Sequence, residues 1–143
     1  MSKLIFKKIE KDLPDPEYKT EGSIGFDLVA RVETVVPSFE VRLIPLNLVV
    51  KIPEGYGLFL LPRSSTPIKK QLLIPNGVGI IDQDYCGEED ELKLQVLNFS
   101  KKEVLVERGE RIAQCVIVKI DQSQLLGVEK MSEKSRGGFG STG

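Results

Sequence analysis

The residues best suited to chemistry in this chain are carboxylates that interrupt apolar runs. Asp82 follows Ile80 and Ile81 directly, inside the stretch IPNGVGIIDQDYCG from Ile74 to Gly87. A buried carboxylate must be hydrogen-bonded, neutralised or put to use, because an unpaired buried charge is expensive. Two readings stand side by side: Asp82 opens a water-facing Asp82-Gln83-Asp84 turn, or it serves a reaction. Asp27 interrupts Phe26 and Leu28 in the same way after a Gly-rich turn. Pro62-Arg63-Ser64-Ser65-Thr66-Pro67 ends an apolar run with an Arg and three consecutive hydroxyls, donors suited to phosphate oxygens. Gln114 shares a strand face with Ile112, Val116 and Val118, which predicts a buried amide in need of partners. The last eight residues, Arg136-Gly137-Gly138-Phe139-Gly140-Ser141-Thr142-Gly143, combine a fixed cation, glycines, one aromatic ring and two hydroxyls. That set suits wrapping a nucleotide: backbone and hydroxyls on phosphates, Arg on negative charge, Phe on a base face. The alternative is a frayed tail.

Composition narrows the chemistry further. At 143 residues the chain has the length of one domain. The formal net charge of −1 argues against stable nucleic-acid binding. No run of 18 apolar residues occurs, so no membrane span is expected. The start MSKLIFKKIEKD places charges inside any apolar core and does not read as a secretory signal. Cys86 and Cys115 have no metal-ligand spacing, read as small packing residues, and make a cytoplasmic location the default. His is absent, which removes Ser-His and Cys-His nucleophilic arrangements and most protein-ligated zinc sites. Acid–base chemistry is left to carboxylates, Tyr, Lys or Cys.

The elements that must position these residues read as short strands. Apolar and alternating runs fall at residues 3–9, 26–30, 32–36, 40–43, 46–52, 56–61, 92–99, 104–106 and 112–120, with turn residues between them. Leu72-Leu73-Ile74 and Val78 to Ile81 flank Pro75-Asn76-Gly77, which predicts a β-hairpin of two short buried strands. A short helix is expected near residues 67–72. The pattern is that of an all-β, single-domain jelly roll, sandwich or barrel over residues 1–130. Residues 131–143 follow as a Gly/Ser-rich segment without strand pattern.

Taken together and in order, five segments resemble the trimeric dUTPase (deoxyuridine triphosphate nucleotidohydrolase) family. They are Gly25-Phe26-Asp27-Leu28, Pro62-Arg63-Ser64-Ser65, Asn76 through Gly87, Arg108-Gly109-Glu110-Arg111-Ile112-Ala113-Gln114, and Gly138 to Gly143. The resemblance implies a jelly-roll homotrimer with active sites shared between subunits, closed by a C-terminal lid. It implies Mg²⁺-dependent hydrolysis of dUTP to dUMP and pyrophosphate, keeping uracil out of DNA and supplying dUMP for dTMP synthesis. By the same resemblance Asp82 is the general base that activates water against the α-phosphorus. Asn76, Gly77, Val78, Gly79 and Ile80 read the uracil edge, Tyr85 packs on the deoxyribose and excludes a 2′-hydroxyl, and Phe139 stacks on the base. Arg63, Ser64, Ser65, Gln114, Arg136, Gly140, Ser141 and Thr142 hold phosphate, and Asp27 supports the metal through water. A triphosphate brings about four negative charges, so a Mg²⁺ carried in by the nucleotide is the natural counter-charge.

Two departures from the family pattern stand out. Between Gly87 and Asn98 the chain is about three residues longer, and the excess is the acidic run Glu88-Glu89-Asp90-Glu91. This reads either as a loop pointing into water or as a changed rim to the uracil pocket. Arg136 stands three residues before Phe139 where the family places its Arg five before; Lys134 holds that position. The alternatives are a dCTP deaminase-like enzyme and a non-catalytic nucleotide-binding protein on the same scaffold. Against the first, Gln95 stands where deaminases carry a proton-shuttling Glu. Against the second, Asp82, Tyr85 and Phe139 are all present.

Overall fold

Alternating sequences need partner strands, and here those partners are far away along the chain. The computed structural model describes every residue except Thr142. In chain order the strands are β1 (Ile5–Lys8), β2 (Gly25–Val29), β3 (Thr34–Val36), β4 (Val41–Pro45), β5 (Leu48–Lys51) and β6 (Tyr56–Pro62). Then follow β7 (Leu72–Leu73), β8 (Gly79–Ile81), β9 (Lys93–Asn98), β10 (Val104–Val106) and β11 (Arg111–Lys119). The expected short helix is a single π-helical turn, Thr66–Lys70, which Gln71 ends at a left-handed φ of 53°.

The strands form four sheets: β2-β11-β6-β8, β4-β9-β7, and the pairs β1-β5 and β10-β3. Every pairing is antiparallel. This is the jelly-roll-like all-β architecture expected from the strand spacing. The two larger sheets enclose the core, with Phe26, Leu28, Leu58, Leu60, Ala113 and Cys115 from one and Ile44, Leu72, Leu94 and Val96 from the other. Each fully buried Leu or Ile there is worth roughly 1.5–3 kcal/mol relative to exposure. Residues between these positions face outward, so Asp27, Gln114 and Leu61 form one cross-strand row and Gly25, Val116, Phe59 and Ile80 the next. The period of two therefore resolves the carboxylate among apolar neighbours: Asp27 lies on the opposite sheet face from Phe26 and Leu28.

Three expectations need correction. The strands on either side of Pro75-Asn76-Gly77 do not pair with each other. β7 pairs with β9 and β8 pairs with β6, so the turn carries the chain from one sheet to the other. The local signal for a turn is right, since the Gly77 N–H donates to the Ile74 carbonyl at 3.1 Å. The longer strands β9 and β6 simply offer better ladders than a hairpin closed over Pro75, which has no N–H. Nor are both flanks buried: Leu72 and Ile74 are, while Val78 and Ile80 are exposed, Ile80 at 70%. Gln114 is half-buried and not on the core face. A bulge between Arg111 and Ala113 lets Ile112 and Ala113 both turn inward, and the frame beyond it puts Ala113 and Cys115 inside and Gln114 outside. Finally, the acidic run does not lie wholly in water. Glu91 is 6% exposed and paired with Arg31.

Candidate active site

Asp82 opens the turn that leaves β8. The Tyr85 N–H donates to the Asp82 carbonyl at 3.2 Å, closing Asp82-Gln83-Asp84-Tyr85. Among the described residues the Asp82 carboxylate has no hydrogen bond or ion pair and is exposed. The loop itself is held firmly. Gln83 Nε2 donates to the carbonyls of Pro53, at 3.2 Å, and Tyr56, at 2.8 Å, pinning the turn to the start of β6. Gln83 was not evident from sequence; a polar residue between two carboxylates in a turn looks like solvent chemistry. A cleft of about 510 Å³ beside Asp82 is lined by Tyr56, Phe59, Ile80, Gln83 and Asp121.

The turn Pro75-Asn76-Gly77 and the start of β8 border a second cleft of about 230 Å³, with Leu43, Leu60 and Gln95 across it. Asn76, Gly77 and Val78 are exposed and Gly79 half-buried. Gly79 is required by close approach: a Cβ there would stand 3.0 Å from Leu60 Cβ and 3.3 Å from the Leu60 carbonyl oxygen. Ile80 lines both clefts. The turn and Asp82 thus lie on either side of β8, the edge strand of its sheet.

Tyr85 leans back over this edge. Its hydroxyl donates to the Glu91 carbonyl at 2.9 Å. Partial burial and the nearby Asp90 and Glu91 carboxylates hold the phenol above its ordinary range. It remains neutral near pH 7 and acts as a donor.

The phosphate-type donors collect elsewhere. Arg63, at the end of β6, donates from Nε to Asp27 Oδ1 at 3.2 Å, and Arg111 lies 3.8 Å from Asp27 Oδ2. Gln114 donates from Nε2 to the Pro62 carbonyl at 2.8 Å. Its other side-chain end crowds Gly25, where a Cβ would come within 2.8 Å of Gln114 Oε1. Asp27, Arg63 and Gln114 therefore lie together. Beside them, Arg63, Ser65, Lys69, Lys70 and Arg111 line a cationic cleft of about 170 Å³. Ser64 is exposed. Lys69, Lys70 and Arg111 add charge that the sequence reading did not use; Lys70 is already paired with Glu110 at 2.6 Å.

The C-terminal segment does not meet these clusters. Regular strand ends at Lys119, and residues 121–141 are exposed throughout. Among the described residues, no hydrogen bond joins residues 121–141 to the strands. Phe139 is fully exposed at a positive φ of 52°, and Gly140 takes φ 88°. The Ser141 N–H donates to the Gly138 carbonyl at 3.1 Å. Lys134 and Arg136 are exposed, and the Thr142 expectation lies outside the described residues.

The donor set also bears on Mg²⁺. Among the described residues no three His, Cys, Asp or Glu side chains converge as a metal cage. A hard cation needs about six oxygens, so the Asp27 carboxylate alone could supply only a small part of its shell.

Comparison with known proteins agrees with this arrangement. The dUTPase family model matches residues 11–143. The deoxyuridine 5′-triphosphate nucleotidohydrolase of Hydrogenobaculum sp. is 41% identical over 144 residues, covering 99% of this chain and 98% of that one. The enzyme of the same name from Helicobacter pylori (strain J99) is 38% identical, covering 99% and 97%. Among solved structures, dUTPase from Streptococcus mutans superposes with a TM-score of 0.76 at 31% identity, covering 83% of this chain and 98% of that one. A dUTPase variant from Staphylococcus bacteriophage 80alpha, solved with dUpNHpp, gives 0.82 at 29% identity, covering 100% and 99%. Five ordered motifs, a shared fold and full-length relatives agree: this chain belongs to the dUTPase family.

Proposed function

We propose that this chain hydrolyses dUTP to dUMP and pyrophosphate at sites completed by three copies of itself. Asp82 accepts a proton from a water that attacks the α-phosphorus; the bond from that phosphorus to the bridging oxygen breaks, and pyrophosphate leaves. An exposed carboxylate with no partner among the described residues, on a turn fastened by Gln83, suits a base that must stay in place and stay available. The backbone of Asn76 to Ile80 reads uracil in the adjoining cleft, and Tyr85 covers the deoxyribose. Arg63, Ser64, Ser65 and Gln114 hold the phosphates. Asp27, already balancing Arg63, keeps that guanidinium oriented and would help hold Mg²⁺. Bound Mg²⁺ would neutralise phosphate charge and orient the triphosphate. Phe139, Gly140, Ser141, Thr142 and a cation from Arg136 or Lys134 close over the nucleotide as a lid. We place the chain in the cytoplasm, a reducing setting that suits its two free cysteines.

The observation that carries the shared-site reading is a distance. Ile81 is paired with Leu58, so Asp82 stands beside the start of β6, while Arg63 leaves its far end. Six residues at about 3.3 Å each separate the two groups by roughly 20 Å along the sheet. An α-phosphate at Asp82 cannot have its neighbouring phosphates at Arg63 of the same chain. The outward row Val116, Phe59 and Ile80, with Ile80 exposed, offers an apolar face for the other copies.

Gln95 lines the cleft beside Asn76 and, as an amide, cannot shuttle a proton, which favours hydrolysis over deamination. The test is pyrophosphate release from dUTP, dCTP, dTTP and UTP with and without Mg²⁺. Fast Mg²⁺-dependent release from dUTP alone is expected. Comparable release from dCTP or dTTP would overturn the assignment of the base pocket, and no release from any of them would leave a binding protein.

A further inference from the structure

Glu91 is the one acidic side chain buried among the described residues, and it lies outside every motif that marks the site. A carboxylate at 6% exposure has to be paired, and its pairing is complete. Arg31 grips it with a two-pronged contact, Nε to Oε1 at 2.7 Å and Nη2 to Oε2 at 3.1 Å. The Asn47 N–H adds a third donor to Oε1 at 3.0 Å. The Glu91 pairing draws the Arg31 guanidinium further up from its usual range. Asn47 itself is buried at a positive φ of 69°, with its side chain bonded in both directions to the Glu10 backbone. Next to Glu91, Leu92 exchanges hydrogen bonds with Leu46 and Leu48. The backbone at Glu91 is thus fixed from several sides, and to its carbonyl the Tyr85 hydroxyl is tied at 2.9 Å.

Between Tyr85 and Glu91 runs the added acidic loop. It closes on itself: the Gly87 N–H donates to Asp90 Oδ2 at 2.7 Å, and the Asp90 N–H to the Gly87 carbonyl at 3.1 Å. The extra residues therefore form a lasso, with the Tyr85–Glu91 bond as its knot.

We propose that the Arg31–Glu91 ion pair positions Tyr85 and thereby sets the discrimination between deoxyribose and ribose nucleotides. The inference rests on the reading that Tyr85 covers the sugar. A phenol ring excludes a 2′-hydroxyl only if it cannot swing aside, and a long loop leaves its hydroxyl without an anchor unless something rigid supplies one. Well-packed apolar residues can hold a fold as well as a buried ion pair does. A forked pair with fixed direction instead places one carbonyl accurately.

The experiment compares kcat/KM for dUTP and UTP in Tyr85→Ala, Tyr85→Phe, Glu91→Gln and the Tyr85→Phe/Glu91→Gln double variant. Tyr85→Phe keeps the ring and removes only the bond, and should lower the dUTP-to-UTP ratio by about 3- to 10-fold. Glu91→Gln should lower it by a similar factor. In the Tyr85→Phe background it should add nothing, because both changes cut the same link. A purely structural pair would change stability and leave the ratio alone. If Glu91→Gln does not fold, Arg31→Lys, which keeps the charge and loses the fork, replaces it. Tyr85→Ala relaxing the ratio while Tyr85→Phe and Glu91→Gln keep the parent value would overturn the clamp and leave the sugar-covering role intact. Tyr85→Ala at the parent ratio would overturn that role and the clamp with it. Additive losses in the double variant would mean that Glu91 acts by another route.

Discussion

Asp82 and Arg63 flank the same strand from opposite ends. Asp82 follows Ile81, the partner of Leu58 near the start of β6, and Arg63 follows Pro62 at its finish. If Asp82 is the base and Arg63 a phosphate ligand, as proposed above, the two can serve one nucleotide only across an interface between copies.

Complementation follows from that separation. Asp82→Asn and Arg63→Ala should each be inactive alone, yet co-refolding the two in equal amounts should restore activity. If the groups of one site come from different copies, about a quarter of the sites in randomly mixed symmetric assemblies are intact. A site within one chain would give no recovery, and pyrophosphate release after mixing distinguishes the two.

Asp82→Asn alone should lower kcat by about 10²- to 10⁴-fold, the range for removing a general base. Nucleotide affinity should change little, since the Asp82 carboxylate has no partner among the described residues and the Gln83 anchor remains. Calorimetric binding of a non-hydrolysable analogue beside steady-state kinetics separates the two effects. Wild-type turnover in this variant would remove Asp82 from the reaction.

The strand spacing and the chemical residues were legible in the sequence because both rest on local pattern. Alternation at Leu92, Leu94 and Val96 marks β9, and Asp27, Arg63 and Gln114 stand out as polar groups ending or breaking apolar runs. Partner choice was not legible. Pro75-Asn76-Gly77 announces a turn, but whether its flanks pair with each other depends on β6 and β9, distant in sequence. The frame of β11 depended on a bulge that alternation cannot reveal. Glu91 was hidden in a charged run because its burial comes from Arg31, sixty residues away. Its one local signal is position, directly before the inward-facing Leu92.

Gly79→Ala tests how tightly β8 is held to β6. The added methyl meets Leu60 Cβ at 3.0 Å and the Leu60 carbonyl oxygen at 3.3 Å, contacts that neither strand can relieve without shifting. A loss of about 1–3 kcal/mol is expected, in the range for overpacking. Urea denaturation reads it as a lower midpoint with an unchanged slope. An unchanged midpoint would mean that the edge strand can move away freely.

The two thiols should differ sharply in reactivity. Cys115 is fully enclosed on the core face of β11, and burial pushes its thiol well above the ordinary range, so little thiolate forms. Cys86 is only half-buried. A thiol-reactive chromophore should label Cys86 alone in native protein and both cysteines in denaturant. Equal native rates would place Cys115 outside the core and undo the frame assigned to β11.

Removing residues 136–143 should separate turnover from assembly. Its described residues are exposed and have no hydrogen bond to the strands, so its loss should cost the fold almost nothing. The apolar row of Val116, Phe59 and Ile80 is untouched. The same subunit count by light scattering and an unchanged melting temperature are therefore expected. Turnover should fall by at least about tenfold, because the truncation takes away the aromatic ring, one of the two candidate cations and the hydroxyls that would exclude water around the bound triphosphate. Arg136→Ala and Lys134→Ala in the full chain then separate the two candidate cations, the greater loss marking the one that reaches phosphate. Dissociation of the truncated protein into monomers would show that these residues hold the assembly together instead of closing the site.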